Sequence, residues 1–183
     1  ARQAAHAPAS DDAQTIRAIL WRCYTALAEA SRRSGGVDGA RKAVAWHQRG
    51  AELMRSNEQL HPGDVGYRRS TLNAGMELAN AYAAAGEPGP AIAEARAILD
   101  EFDALKRSDA ANEDAALDVL KTIAALADFY RRAGDAAQTG AMVERGQHAQ
   151  AALAAKLQGH YVARQSQLKL LLAQACLATQ RAA

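Results

Sequence analysis

Apolar residues recur along the chain at steps of three and four, the spacing that lines one face of a 3.6-residue helix, and glycine or proline breaks each run. The first run predicts a helix that opens at Ser10 or Asp11, where a short polar side chain can cap free N–H groups, and that ends at Gly35-Gly36. Asp12 falls in its positive first turn and Arg32-Arg33 in its negative last turn. Ile16, Leu20, Tyr24, Leu27 and Ser31 mark its expected buried face. Asp38 is the expected cap of a second helix, with Ala40, Val44, His47, Ala51 and Met54 inward and an end near Asn57.

Leu60-His61-Pro62-Gly63-Asp64 reads as a turn, and Asp64 as the cap of a third helix carrying Leu72, Leu78, Ala79 and Tyr82 up to Gly86. Glu87-Pro88-Gly89-Pro90 then leads into a fourth helix, with Pro90 in its first turn and Ala91, Ala95, Ile98, Phe102 and Leu105 on its inner face. A fifth starts at Ser108 or Asn112 and carries Leu117, Leu120, Ile123, Leu126 and Tyr130, and Asp135 caps a sixth. The sixth is weakly patterned: Thr139, Gly146 and Gln150 stand where the fourth has Ala91, Ile98 and Phe102, leaving Val143 and Leu153 as its main apolar anchors. After Gly159, the residues Tyr161, Leu168, Leu172, Ala173, Cys176 and Leu177 predict a seventh helix to about Gln180.

A shift of 51 residues carries Leu27-Ala28 onto Leu78-Ala79, Gly35 onto Gly86, and the inner face of the second helix onto that of the fourth. A further 48 carries Leu78-Ala79 onto Leu126-Ala127, Tyr82 onto Tyr130 and Gly86 onto Gly134. One offset that superposes core positions and turn glycines together indicates repeated units. They are three helical hairpins, about 11–57, 64–106 and 110–157, followed by a capping helix at about 160–180 that covers the open end of the stack. Residues 1–10, small, polar and aperiodic, read as a flexible linker ahead of a helical repeat domain over 11–183.

Leu78, Ala79, Tyr82, Gly86 and Ala91, and again Leu126, Ala127, Tyr130 and Gly134, resemble the tetratricopeptide repeat at its own spacing. The first hairpin keeps Tyr24, Leu27, Ala28, Gly35 and Ala40, with Ser31 where the family has tyrosine. The units are longer than the family's, which are about 34 residues. Their length, with the turn His61-Pro62-Gly63-Asp64 followed by Tyr67-Arg68-Arg69, is similar to the arrays found C-terminal to some bacterial serine/threonine kinases. The resemblance implies an all-α fold, wound as a right-handed α-α superhelix, whose concave face binds a protein or peptide segment. Carried over residue by residue, the inward-facing positions are Arg22, Thr25 and Glu29, then Asn73, Met76 and Asn80, then Lys121, Asp128 and Arg131. An amide at Asn80 could bond both the N–H and the C=O of an extended backbone. No kinase activity comes with the resemblance, because the chain has no Gly-rich phosphate loop, H-R-D loop or D-F-G site.

Composition sharpens the picture. Alanine supplies about a quarter of the residues and aromatics 5%, a balance that suits closely packed helices and not a sheet. A formal net charge of +2 argues against nucleic acid as a partner. No apolar run approaches the roughly 18–20 residues of a membrane span, so no membrane contact is expected of the chain itself. Beginning at Ala1 and not Met, the chain reads as a soluble excised domain or a processed product, the sensing or scaffolding part of a larger bacterial signalling protein. His6, His47, His61, His148 and His160 lack the i, i+4 pairing of a helical metal site, so no metal or cofactor is expected and His47 is expected to be packed. Cys23 and Cys176 read as buried small hydrophobes. Without a nucleophile elbow or a base beside either cysteine, no enzyme is expected. Of the pairs Arg32-Arg33, Arg68-Arg69 and Arg131-Arg132, which could form a phosphate-binding stripe, the first and third lie in the last turn before a glycine stop and suit helix ends better. Two readings compete with peptide binding: a helical sensor with a small ligand between its helices, and a homo-oligomeric scaffold, which would leave an apolar stripe exposed.

Overall fold

Glycine and proline fix where the helices stop. The computed structural model describes residues 11–109, 112–153 and 155–182, and among these it is all-helical, with seven long helices, one short helical turn and no strand. The elements are α1 (Asp11–Arg33), α2 (Gly36–Gln59), α3 (Val65–Ala84), α4 (Pro88–Ser108), α5 (Glu113–Arg132), α6 (Ala136–Ala151), the single turn α7 (Ala155–Gln158) and α8 (Tyr161–Ala182). The linker expected over residues 1–10 lies outside the described residues. No helix among the described residues is long and apolar enough to cross a membrane.

Side-chain caps start several helices. Asp64 Oδ1 accepts from the amides of Gly66 (2.8 Å) and Tyr67 (3.2 Å), Asn112 Oδ1 from Ala115 (2.9 Å), and Asp135 Oδ1 from Gln138 (2.9 Å). Asp38 does not cap α2. The helix begins two residues earlier, at Gly36, because Gly35 and Gly36 both take positive φ and reverse the chain at once, which leaves Asp38 in the first turn. At the other ends, α3 and α5 close in the same way. Gly86 N–H bonds Ala83 C=O and Glu87 N–H bonds Tyr82 C=O (2.9 Å), while Gly134 N–H bonds Arg131 C=O and Asp135 N–H bonds Tyr130 C=O (3.0 Å). With φ of 79° and 77° at the two glycines, these are Schellman motifs.

The contacts divide the chain at Ala74/Gly75, within α3. In the first unit α1 packs on α2. The expected face of α1 is buried only in part: Tyr24 and Ser31 are half-buried but Ile16, Leu20 and Leu27 are exposed, and the buried side is rotated toward Ala28 and the half-buried Trp21. The cause lies on α2, where Gly39 and Gly50 leave room for a close approach. A Cβ on Gly50 would lie 3.6 Å from Trp21 Cδ1, and one on Gly39 would lie 2.5 Å from the Ser31 carbonyl oxygen. Tyr24 stacks on Trp46 at 6.0 Å between centroids, and the Arg49 guanidinium lies 4.7 Å over the Trp46 ring. Thr71 at the start of α3 donates to the Met54 carbonyl of α2 at 3.1 Å. Cys23 is exposed, on the side of α1 that carries Ile16 and Leu27, so it is not a core residue as expected.

In the second unit α4 packs on α5, α5 on α6, and both α5 and α6 on α8, a succession consistent with a helical repeat. Thirteen of the twenty residues of α5 are buried, which makes it the axis around which the unit packs. Phe102, Met76, Leu120, Ile123 and Leu126 are among the largest fully buried side chains of this unit. The weak pattern of α6 has a packing explanation. Thr139 and Gly146 are buried, and a Cβ on Gly146 would lie 2.6 Å and 2.7 Å from the two methyls of Leu170, so the missing side chain of α6 is a slot for α8. Cys176 is half-buried on α8 and, like Cys23, is a free thiol.

Candidate functional site

The residues expected to face a partner fall in both units. Arg22 is exposed on α1, and Thr25 turns its hydroxyl back to the Trp21 carbonyl at 3.0 Å. Glu29 receives Arg32 Nε and Nη2, both at 2.8 Å, and Arg33 Nε at 2.9 Å. Those hydrogen bonds, from Arg32 first and then Arg33, pull its carboxyl down to about 2. Asn73, half-buried on α3, donates to the Arg69 carbonyl at 3.1 Å. These four belong to the first unit.

In the second unit Met76 is a correction to the expected site: it is fully buried, because its turn of α3 faces the core beside Ala79, so its side chain is closed to any partner. Asn80 and Lys121 are half-buried. Asp128 and Arg131 are joined, with Arg131 Nη2 on Oδ1 at 2.6 Å and Arg132 Nε on Oδ2 at 2.7 Å. Burial works to raise the Asp128 pKa, but the hydrogen bonds from Arg131 and then Arg132 outweigh it and hold the carboxyl below its usual range. The same bond to Asp128 raises Arg131.

Lys121 is the expected residue that lines a cavity. The space, of about 250 Å³, opens between α3, α5 and α8, with Glu77, Tyr161, Gln165, Ser166 and Lys169 on its walls beside Lys121. Glu77 sits one turn from Asn80 on α3, so helical spacing alone could have found it. The α8 residues were missed because α8 was read only as a cap; Gln165 and Lys169 lie four apart on it, both exposed. His160 Nδ1 accepts the Val162 amide at 3.3 Å at the start of α8, and its ring lies 4.8 Å from that of Tyr161. Two ammonium groups, one carboxylate, a phenol, an amide and a hydroxyl thus converge on one opening. Such a set can pair a carboxylate and hydrogen-bond a backbone at the same time. Among the described residues no group of three or more His, Cys, Asp or Glu is placed to hold a metal ion.

No model of a known protein family matches the chain, and no characterised protein or solved structure is significantly similar to it.

Proposed function

We propose that the chain is a tetratricopeptide-like repeat module that binds a segment of a partner protein in the cavity between α3, α5 and α8. The observation that carries the reading is the meeting of Glu77 and Lys121, from the first helices of two successive hairpins, with Gln165 and Lys169 of α8 around one opening. The matching Schellman ends of α3 and α5 support the repeat, and in this reading the hairpins wind as a right-handed α-α superhelix. Lys169 stands exposed on the α8 wall of the cavity, so the bound segment carries an acidic side chain or a terminal carboxylate, held in an extended form by the amide and hydroxyl of Gln165 and Ser166. The test selects peptides from a displayed library and measures the best of them against Lys121→Ala, Lys169→Ala, Asn80→Ala and Arg131→Ala, with melting checked for each. Loss of about tenfold or more at Lys121 and Lys169 supports the site. Unchanged binding there, with weakening by Glu94→Ala or Arg96→Ala on α4, places the function on the outer surface and overturns it.

A further inference from the structure

A second groove lies along α8, against α6 and α7 and away from Lys121. It encloses about 460 Å³, within the roughly 300–1,000 Å³ usual for small-molecule sites. Its lining is unusual in composition. Gln147 and Gln150 come from α6, Gln158 from α7, and Gln167 and Gln174 from α8, five of the twelve glutamines in the chain, and among the described side chains no charged one joins them. Leu170 and Leu171 supply an apolar wall.

Three of these amides are engaged. Gln147 Nε2 donates to Gln174 Oε1 at 3.2 Å and so links α6 to α8, and Gln158 Nε2 donates to the Leu153 carbonyl at 3.4 Å. Gln150 differs. Its Oε1 is shut off from water and accepts no hydrogen bond, which is costly for a buried acceptor that nothing satisfies. The packing of Leu170 against Gly146, one turn before Gln150, holds α6 and α8 close at this point.

We propose that this groove binds a small neutral molecule that carries amide groups, the half-buried Gln150 side chain turning so that its unsatisfied Oε1 accepts a ligand N–H. A charged ligand would lose hydration without meeting a counter-charge among the described lining residues, which therefore favour a neutral one. An amide offers a donor and an acceptor side by side, which the glutamine side chains complement, while Leu170 and Leu171 receive the apolar remainder. The inference does not depend on the peptide-binding reading, since the two openings share no residue.

The experiment titrates the ¹⁵N-labelled chain with N-acetylglutaminamide and, separately, with its charged counterpart N-acetylglutamate, following the side-chain NH₂ signals of the five glutamines. The expected result is saturable shifts with the neutral probe and binding weaker by about tenfold or more with the charged one. Gln150→Leu should abolish the shifts while leaving the melting temperature equal or higher, because it removes the unsatisfied acceptor. If that variant melts lower than the parent, Gln174→Leu is read in its place and must also weaken binding. Absence of saturation up to about 50 mM of the neutral probe, equal binding of the two probes, or parental binding by the variant overturns the proposal. Lys121→Ala and Lys169→Ala should leave these shifts unchanged, which separates this site from the peptide cavity.

Discussion

Asp128 and Arg131 are held together at 2.6 Å across one turn of α5, and Arg132 closes on the other carboxylate oxygen at 2.7 Å. Glu29, with Arg32 and Arg33, forms the same clamp at the end of α1. In both, an acid precedes an arginine pair by three and four residues and sits in the last turns of the helix. The arginines also lie where the helix dipole favours them. In the middle hairpin Asn80 replaces the acid and Ala83-Ala84 the arginines, so α3 ends without the clamp.

The clamp makes acid stability depend on Asp128. Its folded pKa lies below the ordinary 3.8, so the folded state binds its proton less readily than the unfolded chain does. The stabilisation is therefore fully present above 3.8 and is lost as pH falls through the lower folded value. Asp128→Asn should lower the urea midpoint at neutral pH, and its difference from the parent should shrink on acidification below 3.8. Parallel midpoint curves for the two proteins across that range would refute this. Glu29 follows the same sign between 4.5 and about 2, but it is solvent-exposed, so added salt should erase the effect of Glu29→Gln.

Gly134 is the second test. Its φ of 77° belongs to the left-handed region, where a Cβ costs roughly 1–2 kcal/mol, while open space around it excludes a steric clash. Gly134→Ala should destabilise by about that amount, and Gly86→Ala, at φ 79°, by a similar one. Substitution at Gly89, which has neither a positive φ nor a close neighbour, should cost less than either. Equal effects at all three in denaturant titrations would mean that the Schellman ends do not hold the hairpins.

The helices were legible because their limits depend on local chemistry: Asp64, Asn112 and Asp135 cap where expected, and Gly86 and Gly134 end their helices. The orientation of α1 was not. Its apolar residues spread over one broad arc, from Ile16, Leu20 and Leu27 through Tyr24 to Trp21 and Ala28, and periodicity cannot say which part of the arc is buried. The choice is made by the glycines of α2, residues distant in sequence. Likewise Gly146 looked like a flaw in α6 until Leu170 filled it. Of the candidate sites, Lys121 was reachable by repeat alignment, but the glutamine groove needed α6, α7 and α8 brought together, and no spacing within one helix announces it.

Tyr130 measures the hairpin core. It is 7% exposed, whereas Tyr82, which precedes Gly86 on α3 as Tyr130 precedes Gly134 on α5, is half-buried. Tyr130→Ala should destabilise by about 3–5 kcal/mol, as for other large buried side chains, and Tyr82→Ala by less. Thermal or urea unfolding gives both values. A smaller loss at Tyr130 than at Tyr82 would show the burial to be misassigned.

The last prediction concerns the two faces of α8. Ala163, Leu170 and Ala173 join Leu117, Leu120, Ala124, Val143 and Leu153 in the core cluster, while Tyr161, Leu168 and Leu172 stand on the opposite side, all more than half exposed. A helix that only closes a stack would present a polar outer face, so the inner contacts and the outer leucines are separable in a way a plain cap does not require. Leu170→Ala removes a buried side chain wedged against Gly146, and the loss should be about 2–5 kcal/mol. Leu168→Glu with Leu172→Glu changes exposed positions only, and within the monomer it should stay within about 0.5 kcal/mol of the parent. Unfolding measured at dilute and at high protein concentration distinguishes the cases, because stability drawn from self-association rises with concentration. If the double glutamate variant loses stability at high dilution as much as Leu170→Ala does, the outer leucines are part of the fold and the assignment of α8's inner face is wrong.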